Sequence, residues 1–113
     1  MTGRMSRDKG ADAEREVVQL VRAAGWTVAD RNWRSGGGTV GGDIAGGPAS
    51  TVIEVKRVEA FRLRDYWAQV AADAERAGPG VLPILAHRWS RGPWLGITEL
   101  DELLALLWQR ERR

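Results

Sequence analysis

Residues 43–57, Asp43-Ile-Ala-Gly-Gly-Pro-Ala-Ser-Thr51-Val-Ile-Glu54-Val-Lys56-Arg57, give the rest of the chain its meaning. From Thr51 onward the side chains alternate, so Val52, Glu54 and Lys56 share one face of a strand while Thr51, Ile53 and Val55 share the other. Asp43 stands eleven residues before Glu54, on what reads as a neighbouring strand over 43–45. Gly46-Gly47-Pro48 is the turn that would bring 51–57 back as its antiparallel partner. Two hard carboxylate oxygens so placed suit a magnesium ion held against a phosphodiester, and the Lys56 ammonium, on the same face as Glu54, suits the attacking water. Glu-x-Lys is also common on the polar face of an Ile/Val-rich strand, so its neighbours decide which reading holds.

Of seventeen basic residues only Lys9 and Lys56 are lysine, which makes an amine at position 56 telling. An ammonium is compact and can orient or help deprotonate a water, whereas guanidinium stays charged and planar. With 113 residues the chain is expected to form one domain, 1–113, with a single core. It has no cysteine, so no disulfide framework and no thiolate metal site; any metal must be held by oxygen. No eighteen-residue apolar run and no export signal are read, and the expectation is a cytoplasmic protein without membrane attachment, near the nucleoid or in a host cytoplasm if phage-encoded. Net charge is only +2, but arginines crowd the start, the 31–34 loop, the segment after Lys56 and the end. A polyanion such as DNA would suit them; a coding bias toward arginine would produce the same crowding.

Along the chain, residues 1–8 read as a flexible basic arm. Ala13, Val17, Leu20, Val21 and Ala24 then recur at helical spacing until Gly25 supplies a stop. A short strand is expected at 26–29, followed by a loop with five glycines between 36 and 42. After the 43–57 pair, a helix over 62–77 carries Leu63, Tyr66, Trp67, Val70, Ala71 and Ala74 on one side. Strands follow at 81–87 and 94–97, with Pro83 pointing to an edge or bulge. Thr98, with Asp101 three residues on, can cap a last helix bearing Leu100, Leu103, Leu104 and Leu107. The fold class is therefore α/β, in the order αβββαββα.

That order and these residues resemble the PD-(D/E)xK nuclease superfamily, and within it the archaeal-type Holliday junction resolvases. Lys9-Gly-Ala-Asp-Ala-Glu-Arg-Glu16 is similar to the family's opening Lys-Gly-x-x-x-Glu-Arg-Glu signature, and Gly25-Trp-Thr-Val28 to its Gly-aromatic-x-Val strand. Arg34-Ser35 resembles the start of its active-site loop, Asp43-Ile-Ala-Gly46 its first metal carboxylate, Ile53-Glu-Val-Lys56 its core motif, and Leu82-Pro-Ile-Leu-Ala86 with Trp94 its late strand pair. The resemblance implies a restriction-endonuclease-like fold, a central mixed sheet flanked by helices. It further implies that Asp43, Glu54 and the Val55 carbonyl bind magnesium, with manganese the candidate substitute, that Glu14 completes the metal site, and that Lys56 positions the water. Arg15 and Ser35 would contact phosphate, with Lys9, Arg34, Arg57 and Trp33 as further DNA-binding candidates. For Glu14, an ordinary first-turn acid interacting with the helix dipole is the competing reading; for Arg15 and Arg34 it is solvated surface charge.

Gly42 stands where the family often has proline, and the 35–42 loop is rich in glycine. Gln69 lies in the helix after the core motif, where end-processing relatives carry Gln-x-x-x-Tyr, but Asp73 occupies the tyrosine's place. His87, the sole histidine, reads as structural or as a phosphate neighbour rather than a base. Of six tryptophans, Trp26, Trp67 and Trp94 are assigned to core or dimer face, while Trp33 and Trp89 could stack on unpaired bases or pack at an interface. These readings converge on a magnesium-dependent, structure-selective DNA endonuclease, a homodimer resolving four-way junctions. Nucleases of the same fold acting on other branched or duplex DNA, and a non-cutting DNA-binding module, are the alternatives.

Overall fold

The computed structural model describes residues 3–33 and 42–112, with side chains of the first helix described from Lys9 onward. The elements are α1 (Gly3–Ala24), β1 (Asp30–Arg31), β2 (Ile44–Ala45), β3 (Thr51–Arg57), α2 (Leu63–Ala77), β4 (Leu82–Arg88), β5 (Leu95–Ile97) and α3 (Leu100–Glu111). This is the expected αβββαββα order. Arg34, Ser35 and all but the last of the loop glycines lie outside the described residues.

The alternation along β3 sorts its side chains onto two helices. Ile53 and Val55 pack with Ala13, Val17 and Val18 of α1 and with Ile44 and Ala86, while Val52 packs with Val70 and Ala74 of α2 and with Leu85. The result is a sheet with one helix on each face. β3 and β4 pair in parallel from Thr51–Leu82 to Arg57–Arg88, and β4 pairs antiparallel with β5 from Leu85–Ile97 to His87–Leu95, so the sheet is mixed. The β3-α2-β4 crossover accounts for the parallel pair, because α2 carries the chain back across one face.

Glu16 ties these layers together. Its carboxylate, on α1, accepts from Arg57 of β3 at 3.2 Å, from Arg88 of β4, and from the Trp94 indole just before β5 at 3.1 Å. One carboxylate thus fixes the helix against three consecutive parts of the sheet, using charge-assisted bonds.

Several expectations are corrected. α1 begins at Gly3, so residues 3–8 are helical rather than an arm; nothing between Arg4 and Lys9 breaks a helix. The strand expected at 26–29 falls instead at Asp30–Arg31, because the α1 terminus is followed by a tight turn: Gly25 has φ 132°, and the Trp26 amide bonds the Val21 carbonyl at 3.3 Å. Trp26 is consequently exposed at the surface, not in a core. β2 does not run along β3 as a hairpin. It pairs antiparallel with β1, and its approach to β3 is a parallel bridge between Gly42 and Ile53. Residues 46–50 make a wide turn with Gly46 at φ 72° and Ser50 at φ 56°, too broad for hairpin pairing.

Pro83 is buried in β4, the central strand, and it fits because β5 ends opposite Leu85. The Leu82 amide points toward β3, bonding Ser50 at 2.8 Å, so the N–H that proline lacks would have pointed to the other side, beyond the end of β5. Thr98 does not cap α3. Its hydroxyl donates to the Pro83 carbonyl at 2.8 Å, and Glu99 takes the N-cap position without a side-chain bond. Among the described residues, no helix is long and apolar enough to cross a membrane.

Leu85 is fully buried between the sheet and α2. Truncation in Leu85→Ala should lower unfolding stability by about 3 kcal/mol, the usual cost of an unfilled core cavity, read from a urea titration. A loss under about 1 kcal/mol would mean that this core is looser than described.

Candidate active site

The site is built on β3 because that strand is central enough to bury a carboxylate and ends early enough to expose a lysine. Glu54 is 7% exposed, an unusual burial for an acid, and shares its strand face with Lys56. Lys56 Nζ lies 3.9 Å from Glu54 Oε1 and 5.0 Å from the Tyr66 ring centroid. From α2, Gln69 donates to the same Glu54 oxygen at 3.4 Å. Tyr66 and Gln69 are three residues apart, hence on one helix face above β3.

Asp43 arrives from the edge. Its amide bonds the Ile53 carbonyl at 2.8 Å, and its Oδ2 accepts from the Val55 amide at 2.8 Å, so backbone and side chain together clamp it to β3. Because N–H and C=O of one extended residue lie on the same strand edge, the Val55 carbonyl is on Asp43's side as well. Asn32 holds the segment from the other flank: its amide bonds the Asp43 carbonyl at 2.8 Å and its side chain the Gly42 carbonyl at 3.1 Å. Gly42 itself has φ 68°, and a Cβ there would sit 2.6 Å from the Ile53 carbonyl oxygen. Proline, fixed near φ −65°, cannot take that conformation. The departure from the family's proline thus follows from how this chain docks its aspartate.

Placing the two carboxyls together has an electrostatic consequence. Burial pushes Glu54 up to about 8, Asp43's negative charge adds to the rise, Lys56 opposes it, and a hydrogen bond to Asp43 adds further. Glu14 is raised too, chiefly by burial, with Asp43 again contributing and Arg31 opposing. Asp43 therefore lies between two acids: Glu54 on the α2 face of the sheet and Glu14 on the α1 helix. Glu14 is bound by Arg31, whose Nε donates to it at 2.9 Å. Among the described residues no three acidic or histidine side chains form a ready metal cage. The donor set nonetheless fits a divalent cation: all oxygen, two acids in contact, and one of them unable to ionise cheaply without added positive charge. Asp43, Glu54 and the Val55 carbonyl could hold it.

The structure brings Asp43, Glu54 and Lys56 together and keeps Glu14 on Arg31 beside them. Lys9, Lys56 and Arg57 border a cavity of about 360 Å³, whose floor includes Gly10 and Ala13. Arg15, exposed and paired with Asp12 at 2.9 Å, borders a second hollow of about 240 Å³ together with Arg22, Arg31 and Trp33. Arg31 lies over the Trp33 ring at 4.4 Å. His87 is buried, stacked on Phe61 at 3.7 Å, with Nδ1 3.2 Å from the Lys56 carbonyl, which is the structural role expected for it. Sequence reasoning missed Gln69, Tyr66 and Arg31 as neighbours of the acids. Tyr66 and Gln69 share a helix face in the element after the core strand, but only the fold lays that face over Glu54 and Lys56; Arg31 carried no signal.

An αβββαββα chain with two acids and a lysine gathered at β3 has the make-up of a metal-dependent nuclease. Residues 5–112 match the family described as "Phage putative PDDEXK endonuclease", and the chain belongs to that family. No curated protein and no solved structure matches the chain significantly. The superfamily expected from the motif order is thereby established, and nucleases of it use divalent metals.

Two outcomes follow from the geometry. Without metal, folded Glu54 keeps a proton that the unfolded chain releases near 4.5, so the stability it contributes is present at low pH and lost as pH rises toward and through about 8. In chelator, the melting temperature should therefore fall between pH 5 and 8.5, and less steeply in Glu54→Gln; equal slopes would contradict the shared proton. Gly42→Ala should lift Asp43 off β3, lowering the melting temperature by several degrees and weakening magnesium binding in calorimetry.

Proposed function

We propose that the protein is a magnesium-dependent, structure-selective DNA endonuclease that resolves four-way junctions by paired symmetric nicks. The observation that carries the nuclease chemistry is the buried Glu54 in contact with Asp43 and 3.9 Å from Lys56. A bound magnesium ion would supply Lewis acidity to the scissile phosphate, neutralising the charge that builds on its oxygens. Asp43, Glu54 and the Val55 carbonyl would hold it, and Glu14, here bonded to Arg31, would be the further acid beside them. Lys56, steadied by Glu54 and the Tyr66 face, orients the water in line with the bond to be broken. Water attacks phosphorus as the phosphorus–oxygen bond opposite it breaks; the proton the water gives up passes to solvent, and the leaving oxygen takes one from solvent. Gln69 keeps Glu54 turned toward Asp43.

DNA would approach across the two hollows beside the acids, with Lys9 and Arg57 on one side and Arg15 and Trp33 on the other. Arg34 and Ser35 belong to the same contact set through the resemblance alone. Junction selectivity rests on the motif order and on two-fold symmetry: a four-way junction needs two related nicks, which a homodimer supplies from two sites at fixed separation. A second reading, the same chemistry on another branched or duplex DNA, is favoured by the family's description, which names an endonuclease and no substrate.

Cleavage of an immobile four-way junction is to be compared with a flap and a linear duplex of matched sequence, in magnesium and in chelator. Paired nicks confined to the junction support the resolvase; cutting of all three substrates supports the second reading; binding without cutting refutes both. Asp43→Asn and Lys56→Ala should each lower the cleavage rate by about 10²-fold or more while sparing junction affinity within about threefold. Retained cleavage in either variant would overturn the roles assigned to them.

A further inference from the structure

α3 carries Leu100, Leu103, Leu104, Leu107, Leu106 and Trp108, all exposed, and not one residue of the helix is buried. A twelve-residue helix is about 18 Å long and marginal in water on its own. So large an apolar surface on one short helix marks a contact to be made. We propose that this contact is a second copy of the chain, with α3 pairing antiparallel to its own symmetry mate.

Charge order along the helix selects that occupant. Glu99, Asp101 and Glu102 stand at its start and Arg110 and Arg112 at its end. An antiparallel copy sets the acidic start of each helix beside the end of the other, where Arg110 and Arg112 outweigh Glu111, and brings the leucine faces together. A parallel copy would set acid on acid and arginine on arginine. Antiparallel helix dipoles also offset one another, positive end beside negative end. Self-complementarity of this kind is what a two-fold interface requires.

The groove at the helix base extends the surface. It has a volume of about 510 Å³ and is lined by Leu63, Arg64, Trp67, Ile97, Thr98 and Glu99. In the antiparallel arrangement the partner's Trp108 end falls toward that groove, adding area that two short helices lack; a stable interface takes about 800 Å² from each side. The assignment is independent of the nuclease chemistry. β5 runs back along β4 from the level of His87 to that of Leu85, so α3 departs from the end of the sheet away from Lys56. Pairing there leaves both sites open.

Sedimentation equilibrium of the full chain should give a mass of about 25 kDa, twice 12.5 kDa, at micromolar concentration. Leu104→Glu with Leu107→Glu should give 12.5 kDa and a folded domain whose melting temperature no longer depends on protein concentration, since neither side chain is buried in one copy. Reversing the start with Asp101→Arg and Glu102→Arg should weaken association by about tenfold through repulsion from the partner's basic helix end, and adding Arg110→Asp with Arg112→Asp should restore it. A monomer at all concentrations, or a dimer indifferent to both the leucine and the charge changes, would overturn the proposal. A charge reversal that is not rescued by its counterpart would overturn the antiparallel order. These readouts are masses, so they stand or fall apart from any cleavage result.

Discussion

The repulsion between Asp43 and Glu54 is the constraint around which this structure is organised. A carboxylate that is 7% exposed beside another acid is costly in any fold, and the chain answers with several partial compensations rather than one. Lys56 places positive charge on the same strand face, Gln69 donates from the helix above, and the Val55 amide satisfies the near oxygen of Asp43. Glu54 nonetheless remains raised to about 8. The compensation is incomplete, as expected of a place that accepts a cation rather than of a closed structural ion pair.

Holding Asp43 where it meets Glu54 takes unusual backbone. The aspartate does not arrive on a regular hairpin strand. It is docked by one amide, one carboxylate oxygen and the Asn32 bonds, with Gly42 in a left-handed conformation against the Ile53 carbonyl. Glycine takes that conformation without strain, and the surrounding bonds hold the close approach in place. The surroundings are in turn braced by Glu16, whose three donors come from β3, β4 and the approach to β5. That brace adds directional bonds to the apolar contacts between α1 and the sheet, which resist separation but not sliding.

Period-two alternation over 51–57 made the strand, its two faces and the partnership of Glu54 with Lys56 legible in the sequence, because burial on both sides of a sheet leaves little freedom of register. Leu85, Val70 and Ala74 were legible for the same reason on a helix and a buried strand. What was not legible depended on competition between local bonds. Thr98 looked like a helix cap but found the Pro83 carbonyl, and Trp26 looked like a core residue but follows a turn set by Gly25. The pairing of Glu14 with Arg31 joins residues seventeen apart through a two-residue strand, and no spacing rule foretells it. Among the site residues, Asp43, Glu54 and Lys56 were found by motif, whereas Gln69 and Tyr66 needed the helix to be laid over the strand.

The leucines expected on the last helix recur at the spacing of an ordinary amphipathic stripe, and in sequence they are indistinguishable from one. A helix that packs on its own sheet and a helix that packs on a copy show the same spacing of apolar residues. The difference lies in what else the chain provides: α1 and α2 already cover the two faces of the sheet, so a third helix has no face left to cover. The strand preceding it turns the chain away from the Lys56 end, and the Thr98–Pro83 bond fixes where it leaves. Topology thus removes the intramolecular partner before charge order selects an intermolecular one. The same geometry explains how a chain of 113 residues can build a buried acidic site and an association surface without either obstructing the other.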